Sequence, residues 1–185
     1  AATVAPSQAI DTESGKASFI CPHRAQSGNN SMTAQNLLTD HTIVITGAAT
    51  GIGQAFALGA AAQGAHVIVA DMNAADETMD LIKSAGGHAT YAKVDVGDDA
   101  SVRAMAETAI KATGRIDGLI NNAAYFREVK LTPFEDLDPA IWDRIFQINV
   151  KGVWLCCKAV MPAMRERKSG SIINISSVVA VAGQP

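Results

Sequence analysis

Short apolar runs alternate with amphipathic stretches along the chain after His41. The runs are rich in β-branched residues and bounded by turn residues, which is typical of buried strands. They predict five strands, at residues 43–45, 66–70, 89–94, 118–123 and 171–176. Because strands and helices alternate, the strands are expected to pair in parallel through right-handed crossovers. The pattern predicts an α/β fold, a doubly wound parallel sheet with helices on both faces.

Capping residues and glycines indicate where the helices between these strands begin and end. The first helix stops at Gly64, and Asn73 is expected to cap the second. The third is expected to start at Asp98 or Asp99. Asp138, followed by a proline at the first helical position, begins a long helix with apolar residues at helical spacing.

Composition narrows the classes of function. The 185 residues carry a net charge of −3, and 48% of them are apolar. There is no basic excess and no block of like charge, so nucleic acid is not an expected partner. No apolar run approaches the roughly 18 residues that a membrane span needs. The cysteines, Cys21, Cys156 and Cys157, form no metal-ligand spacing and no disulfide framework, which favours a cytoplasmic protein without a metal site.

The first 38 residues differ from the rest of the chain. They are small and polar, sustain no helical or strand period, and lack the continuous apolar region of a secretory signal. We interpret residues 1–38 as a flexible N-terminal extension and residues 39–185 as one domain. Met32 is a candidate for the original start of the protein.

The most informative stretch joins the first strand to the first helix. Glycines follow the strand at positions 47, 51 and 53, and an alanine-rich helix opens at once. In dinucleotide sites, glycines of this kind allow a tight turn, close approach of the backbone to a pyrophosphate, and close packing of helix on strand. The free N–H groups at the start of the helix then face the phosphates. The stretch predicts dinucleotide binding.

Asp71 ends the second predicted strand, eighteen residues after Gly53. An acidic side chain about 20 residues after the glycines accepts hydrogen bonds from the adenosine ribose in such sites. A carboxylate there also repels a 2′-phosphate, and neither Met72 nor Thr50 is basic. NAD is therefore favoured over NADP as the cofactor.

These residues are part of a larger set that resembles the short-chain dehydrogenase/reductase family. The glycine turn, Thr-Gly-Ala-Ala-Thr-Gly-Ile-Gly at 46–53, is similar to the first motif of that family. Later stretches resemble its other landmarks in the same order, at residues 95–96, 121–124, 149–152 and 172–177. The likeness covers residues 42–185 and implies a Rossmann domain that is incomplete at its C-terminal side.

The resemblance implies where the cofactor binds. The glycine turn and Asp71 would hold the adenosine half of NAD, while Asp95 and the backbone of Val96 would frame the adenine. Asn122 and Ala123 would line the floor near the nicotinamide ribose. The implied cofactor-binding residues are Gly47, Thr50, Gly51, Ile52, Gly53, Asp71, Met72, Asp95, Val96, Asn122 and Ala123.

Two further residues are implied to serve the chemistry. Ser177 would hydrogen-bond the substrate oxygen, and Asn149 would hold a water in a proton relay, which requires an irregularity in the long helix. Structural interpretations stay open for both: Asn149 as a satisfied core amide, and Ser177 as a strand-end residue that bonds the backbone.

The implied activity is that of an NAD-dependent oxidoreductase that interconverts a secondary alcohol and a ketone. Such proteins often form homodimers or homotetramers through the long helix. The family also uses a tyrosine followed four residues later by a lysine, whereas Tyr91 and Tyr125 are followed at that spacing by Asp95 and Val129. We therefore expect this sequence to be a fragment that is inactive alone.

Two other functions remain open from the residues. The chain could be a non-catalytic dinucleotide-binding module, since the expected tyrosine and lysine are not in it. It could also be a Rossmann-like methyltransferase, in which a glycine turn and an acid after the second strand occur as well. Asn121 and Asn122 before Ala123 argue against the methyltransferase.

Overall fold

The structure, a computed structural model, describes residues 36–126, 129 and 132–177, with only the backbone for Phe134. The strands of this part are β1 (Thr42–Thr46), β2 (His66–Asp71), β3 (His88–Lys93), β4 (Gly118–Asn121) and β5 (Ser171–Asn174). They form one parallel sheet in the order β3-β2-β1-β4-β5. The predicted doubly wound α/β fold is confirmed.

Helices cover both faces of this sheet. They are α1 (Gly51–Ala62), α2 (Asp76–Ser84), α3 (Asp99–Thr113), α4 (Pro139–Phe146) and α5 (Val153–Arg167). A π-helical segment, Gln147–Gly152, joins α4 to α5, and a short 3-10 turn lies at Phe134–Asp136. The single long helix of the sequence prediction is therefore interrupted, as the irregularity expected at Asn149 requires.

The core is divided by the sheet because strand side chains alternate between its two faces. Val44, Ile68 and Leu119 pack on one side with residues of α3 and α5. Ile43 and Ile45 point to the opposite side, against α1 and α2. The central strand β1 is buried over its whole length, as expected of a parallel sheet covered on both faces.

The second helix begins later than predicted. Asn73 does not cap it: α2 starts at Asp76, and its N-cap residue, Ala75, offers no side-chain acceptor. The backbone of Asn73 is used elsewhere, since its N–H donates to Asp71 Oδ1 at 2.9 Å and its carbonyl accepts from the Tyr91 hydroxyl at 2.9 Å. These contacts with β2 and β3 override the local capping preference.

Three strands end earlier than predicted: β3 by one residue, at Lys93, and β4 and β5 by two residues each. The predicted strand 118–123 stops at Asn121, because the N–H groups of Asn122 and Ala123 both donate to Thr46 Oγ1 at 3.1 Å. The predicted strand 171–176 stops at Asn174. The next N–H, that of Ile175, donates to the carbonyl of Asn121, which is the last residue of β4. Because β4 itself ends at Asn121, β5 has no strand residue of β4 to pair with beyond this bond.

The aspartate caps of the later helices are confirmed. Asp98 Oδ2 accepts from Ser101 N at 2.9 Å and so selects Asp98 over Asp99 as the cap of α3. Asp138 Oδ1 accepts from Ala140 N at 2.8 Å at the start of α4. These bonds satisfy N–H groups that have no acceptor within the helix.

The predicted extension, residues 1–38, lies outside the described residues except for its last three. Of these, Leu38 donates its N–H to the carbonyl of Gln63 at 2.9 Å and packs against the core beside α1. At the other side of the sheet, β5 pairs with β4 alone among the described residues, and Ile173 on it is 51% exposed. No helix in the described part of the chain is long and apolar enough to span a membrane.

Candidate functional site

A cavity of about 410 Å³ opens at the carboxyl edge of the sheet, where β1, β2, β3 and β4 end. Ligands of doubly wound sheets bind at this edge, in the crevice beside the first strand. Most of the residues predicted to bind a cofactor line the cavity: Gly47, Thr50, Gly51, Ile52, Asp71, Met72, Asp95, Val96, Asn122 and Ala123. The remaining one, Gly53, is buried in the first turn of α1.

The glycine turn brings the backbone to the wall of this cavity. Gly47 has a φ of +67° and Gly51 a φ of +63°, values that residues with a side chain rarely adopt. A Cβ at Gly47 would also lie 2.9 Å from the Cα of Ala123. The turn therefore requires glycine for its conformation and for the close approach of β1 and β4.

Residues just after β4 brace the turn from the side. Asn122 Nδ2 donates to the carbonyls of Thr46 at 3.0 Å and Gly47 at 3.1 Å. The buried hydroxyl of Thr46 accepts from the N–H groups of both Asn122 and Ala123. The end of β1 and the loop after β4 thus form one hydrogen-bonded unit below the cavity.

The first turn of α1 faces the cavity without a cap of its own. The side chain of its N-cap residue, Thr50, makes no capping hydrogen bond, and the first turn contains no acidic residue. Helices α3 and α4, in contrast, are capped by Asp98 and Asp138. The N–H groups at the start of a helix have no intrahelical acceptor and carry the positive end of the dipole. The uncapped start of α1 is therefore available to an anion.

The underside of the turn is fixed by α2. The hydroxyl of Thr78, which is fully buried, lies 3.1 Å from the carbonyl of Ala48 and 2.9 Å from that of Ala49. Gln54 Nε2 donates to the same hydroxyl at 3.0 Å. Ala48 and Ala49 are themselves buried, so the turn presents only its upper side to the cavity.

Asp71 links the turn to the end of β2. Its Oδ2 accepts from Ala49 N and its Oδ1 from Asn73 N, both at 2.9 Å. A carboxylate has about four lone-pair positions, so two bonds leave acceptor capacity on each oxygen. The side chain lines the cavity and can still accept hydrogen bonds from hydroxyl groups of a ligand.

Asp95 stands at the far end of the cavity, after β3. Its Oδ1 accepts from Gly97 N at 2.8 Å, and its Oδ2 lies 3.4 Å from Arg144 Nη2. Arg144 also donates to Gln147 Oε1 at 3.2 Å. The guanidinium of Arg144, which also lines the cavity, is therefore shared between an acid and an amide.

Asn149 lies in the π-helical segment but does not line the cavity. Its side chain forms a closed pair with the backbone of Tyr125: Oδ1 accepts from Tyr125 N at 2.8 Å, and Nδ2 donates to Tyr125 O at 3.2 Å. Tyr125 does line the cavity. Ser177, three residues after β5, is exposed and stands outside the lining.

Several lining residues had no strong signal in the sequence. Among them are Tyr125 and Phe126, from the loop after β4, and Arg144 and Ile148. The last two come from α4 and the π-helical segment, and only tertiary packing brings them to the end of β3. An arginine on an amphipathic helix is normally expected to face the solvent, so no local pattern could have identified Arg144 as a lining residue.

The cysteines of α5 take no part in the site. Burial and the neighbouring Cys157 raise the pKa of the Cys156 thiol to about 12, so Cys156 is not a nucleophile near neutral pH. Among the described residues, no group of three His, Cys, Asp or Glu side chains could hold a metal ion.

Comparison with known proteins agrees with this geometry. Residues 41–185 match the family model described as short chain dehydrogenase. The uncharacterized oxidoreductase YxbG of Bacillus subtilis is 44% identical over 143 residues, covering 76% of this chain and 51% of that protein. Cis-4-hydroxycyclohexanecarboxylate dehydrogenase of Sinomonas cyclohexanicum is 38% identical over 146 residues, covering 78% and 58%.

A solved structure shares the fold. The crystal structure of levodione reductase superposes with a TM-score of 0.75 at 32% identity, over 80% of this chain and 58% of that one. The chain thus spans between half and three-fifths of the length of these similar proteins.

Proposed function

Because the chain belongs to the short-chain dehydrogenase/reductase family, we propose that it functions as an NAD-dependent oxidoreductase that interconverts a secondary alcohol and a ketone. One observation carries the proposal: a single cavity joins the uncapped start of α1 to the carboxylate of Asp71. The first group suits a pyrophosphate, and the second suits the hydroxyls of a ribose. When bound, the nicotinamide would donate or accept the hydride.

The preference for NAD rests on the charges around Asp71. A 2′-phosphate placed there would meet a carboxylate whose flanking residues, Met72 and Asn73, carry no positive charge. Arg144 is the one basic residue among the described lining residues, and it is paired with Asp95 at 3.4 Å. Lys93, the register partner of Asp71 on β3, does not line the cavity.

The remaining predicted residues fit the two ends of a dinucleotide. Asp95 and Val96 line the end of the cavity beyond Asp71, where an adenine would lie. Asn122 and Ala123 line its floor beside the glycine turn, towards the nicotinamide ribose. The hydrogen bonds from Asn122 to the turn would fix the adenosine and nicotinamide halves of the site relative to each other.

We assign positioning of the reacting groups to Ser177 and Asn149. Ser177 follows β5 at the carboxyl edge, where its hydroxyl would bond the oxygen of the substrate. The amide of Asn149 is engaged by the backbone of Tyr125, so Asn149 would hold a water through its backbone carbonyl, which lies in the π-helical segment. This arrangement would orient a proton relay without using the amide.

The activity is tested by following reduction of NAD with a panel of secondary alcohols. The panel includes cis-4-hydroxycyclohexanecarboxylate, and levodione is tested in the reverse direction, because similar proteins are named for these compounds. We expect NAD-dependent turnover of at least one of these compounds. NAD binding without turnover of any of them would favour a non-catalytic binding module. Saturable binding of S-adenosylmethionine but not NAD would indicate a methyltransferase instead.

We also propose that the protein forms homodimers or homotetramers through α4 and α5. Trp142, Phe146, Val150 and Trp154 lie four residues apart along this side and are 46–57% exposed. Contiguous exposed apolar side chains of this kind are typical of protein–protein interfaces. Sedimentation should show Trp154→Glu with a lower oligomeric state than the wild type. Leu81→Glu, on the exposed face of α2, should leave assembly unchanged, and an equal loss in both variants would contradict the assignment.

A cytoplasmic location is proposed from the cysteines. Cys156 and Cys157 are both free thiols in the described structure. Free thiols persist in reducing compartments, whereas secreted proteins tend to pair them. Recovery of the native protein in an extracellular fraction would contradict this location.

A further inference from the structure

Tyr91 reaches from β3 to the loop that carries Asp71. Its hydroxyl lies 2.9 Å from the carbonyl of Asn73 and 3.3 Å from that of Asp71. The Asp71 carbonyl already accepts from Val94 N at 2.9 Å as part of the sheet. A hydroxyl has one proton, so the shorter contact to Asn73 is the bond that Tyr91 donates.

Asn73 connects this bond to the carboxylate of Asp71. The N–H of Asn73 donates to Asp71 Oδ1 at 2.9 Å, while its carbonyl is the acceptor of the Tyr91 proton. Met72 is 53% exposed, and Asn73 is exposed as well, so side-chain packing does little to fix this loop. The position of Asn73 therefore depends on its hydrogen bond with the Tyr91 hydroxyl. The direction of the Asp71 carboxylate depends in turn on the N–H of Asn73.

The phenol remains a donor under physiological conditions. Burial, followed by the nearby carboxylates of Asp71 and Asp76, raises the pKa of Tyr91 above its ordinary value. The proton is therefore retained through neutral pH, and the bond to Asn73 is retained with it.

We propose that Tyr91 is a positioning residue for cofactor specificity, which holds the Asp71 carboxylate towards the adenosine ribose through the backbone of Asn73. The assignment rests on the proposed function, in which Asp71 accepts hydrogen bonds from that ribose. Tyr91 itself is outside the cavity lining and acts only through Asp71 and Asn73.

The test is the affinity of Tyr91→Phe for NAD and for NADP, measured by calorimetric titration of the purified protein. Phenylalanine fills the same space and removes only the hydroxyl. The dissociation constant for NAD is expected to rise about fivefold, the effect of losing one typical hydrogen bond. The constant for NADP should stay within about twofold, because its 2′-phosphate replaces the ribose hydroxyl that would bond the carboxylate. The preference for NAD then falls by about the same factor.

A double-mutant cycle separates positioning from general support of the fold. In an Asp71→Ala background, Tyr91→Phe should leave the affinity for NAD unchanged, because the group it positions is gone. Thr90→Val is the matched control: it removes the neighbouring hydroxyl of β3, which bonds His66 at 2.8 Å, and should leave both affinities unchanged.

The outcomes separate this assignment from the proposed function. Unchanged NAD affinity in Tyr91→Phe overturns the assignment alone. Equal losses for NAD and NADP, or the same loss in the Asp71→Ala background, also overturn it, since Tyr91 would then be a general structural residue. Wild-type protein that binds neither dinucleotide overturns the proposed function and this assignment together.

Discussion

Gly53→Ala is expected to abolish tight NAD binding and to destabilise the fold. A Cβ at Gly53 would collide with the carbonyl oxygen of Gly47 and lie 2.6 Å from Asn122 Nδ2. Neither atom can yield freely, because the two are hydrogen-bonded to each other at 3.1 Å. Overpacking of this kind costs about 1–3 kcal/mol, and separating Asn122 from the turn adds a further loss.

The binding defect follows from the same collision. Displacement of α1 from the turn would move the N–H groups of its first turn away from the pyrophosphate. Loss of one or two hydrogen bonds to a charged group should raise the dissociation constant for NAD about a hundredfold. Calorimetric titration with NAD and urea unfolding of the same samples measure the two effects.

Gly59→Ala is the matched control on the same helix. No atom lies within 4 Å of the position that a Cβ would take at Gly59. Alanine is the better helix former, so the free energy of unfolding should rise by about 0.5–1 kcal/mol and NAD binding should be unchanged. Equal behaviour of the two glycine variants would show that close packing of α1 on β1 does not shape the site.

Asp117→Asn is expected to lower the free energy of unfolding by about 2 kcal/mol, the range for hydrogen bonds to a charged group. Asp117 Oδ2 accepts from Thr42 N at 2.9 Å and from Arg115 Nε at 2.7 Å, and its Oδ1 accepts from Arg115 Nη2 at 2.6 Å. An amide offers one acceptor oxygen in place of two. Asp117 also accepts from Ser171 N through its carbonyl, so its side chain lies where β1, β4 and β5 begin.

The effect should depend on pH. Burial alone would raise the pKa of Asp117, but the hydrogen bonds from Arg115 and Thr42 and the charge of Arg115 outweigh it and lower that pKa in the folded protein. A lowered pKa stabilises the fold above the ordinary value of 3.8, and this stabilisation is lost as the pH falls through the folded pKa. The gap in unfolding free energy between wild type and Asp117→Asn should therefore be full near neutral pH and shrink in acid.

Asp99→Asn serves as the control for charge in general. Asp99 makes ion pairs with Arg103 at 2.8 Å and Lys158 at 3.2 Å, but its side chain is 38% exposed. Exposed pairs contribute about 0–1 kcal/mol, so this variant should unfold much like the wild type at every pH. A gap for Asp117→Asn that widened in acid would contradict the account of its pKa.

The parts of the site that lie at the ends of parallel strands could be predicted from the sequence. The glycine turn and Asp71 lie at the ends of adjacent strands, and a parallel sheet places such ends at one edge. The spacing of residues along the chain was therefore enough to predict that Gly47, Gly51 and the Asp71 carboxylate lie close together. The irregularity at Asn149 came from the family resemblance, since no propensity in residues 147–152 indicates a π-helical segment.

The parts that failed depend on contacts between distant residues. Asn73 has the sequence signature of a cap, yet Tyr91 and Asp71 take its backbone groups. The end of β4 is set by the hydroxyl of Thr46, which lies 76 positions before Asn122 in the chain. Local patterns contain no information on such partners. The helices and strands were therefore predicted correctly, but some of the residues at which they begin or end were not.

Calorimetric titration of the wild-type chain with NAD and, separately, with NADP tests the central claim most directly. The carboxylate of Asp71, held by Ala49 and Asn73 beside the uncapped start of α1, predicts saturable binding of NAD. The dissociation constant for NADP should be at least about tenfold higher, because a 2′-phosphate would be placed against that carboxylate. Tighter binding of NADP, or no saturable binding of either dinucleotide, would contradict the account.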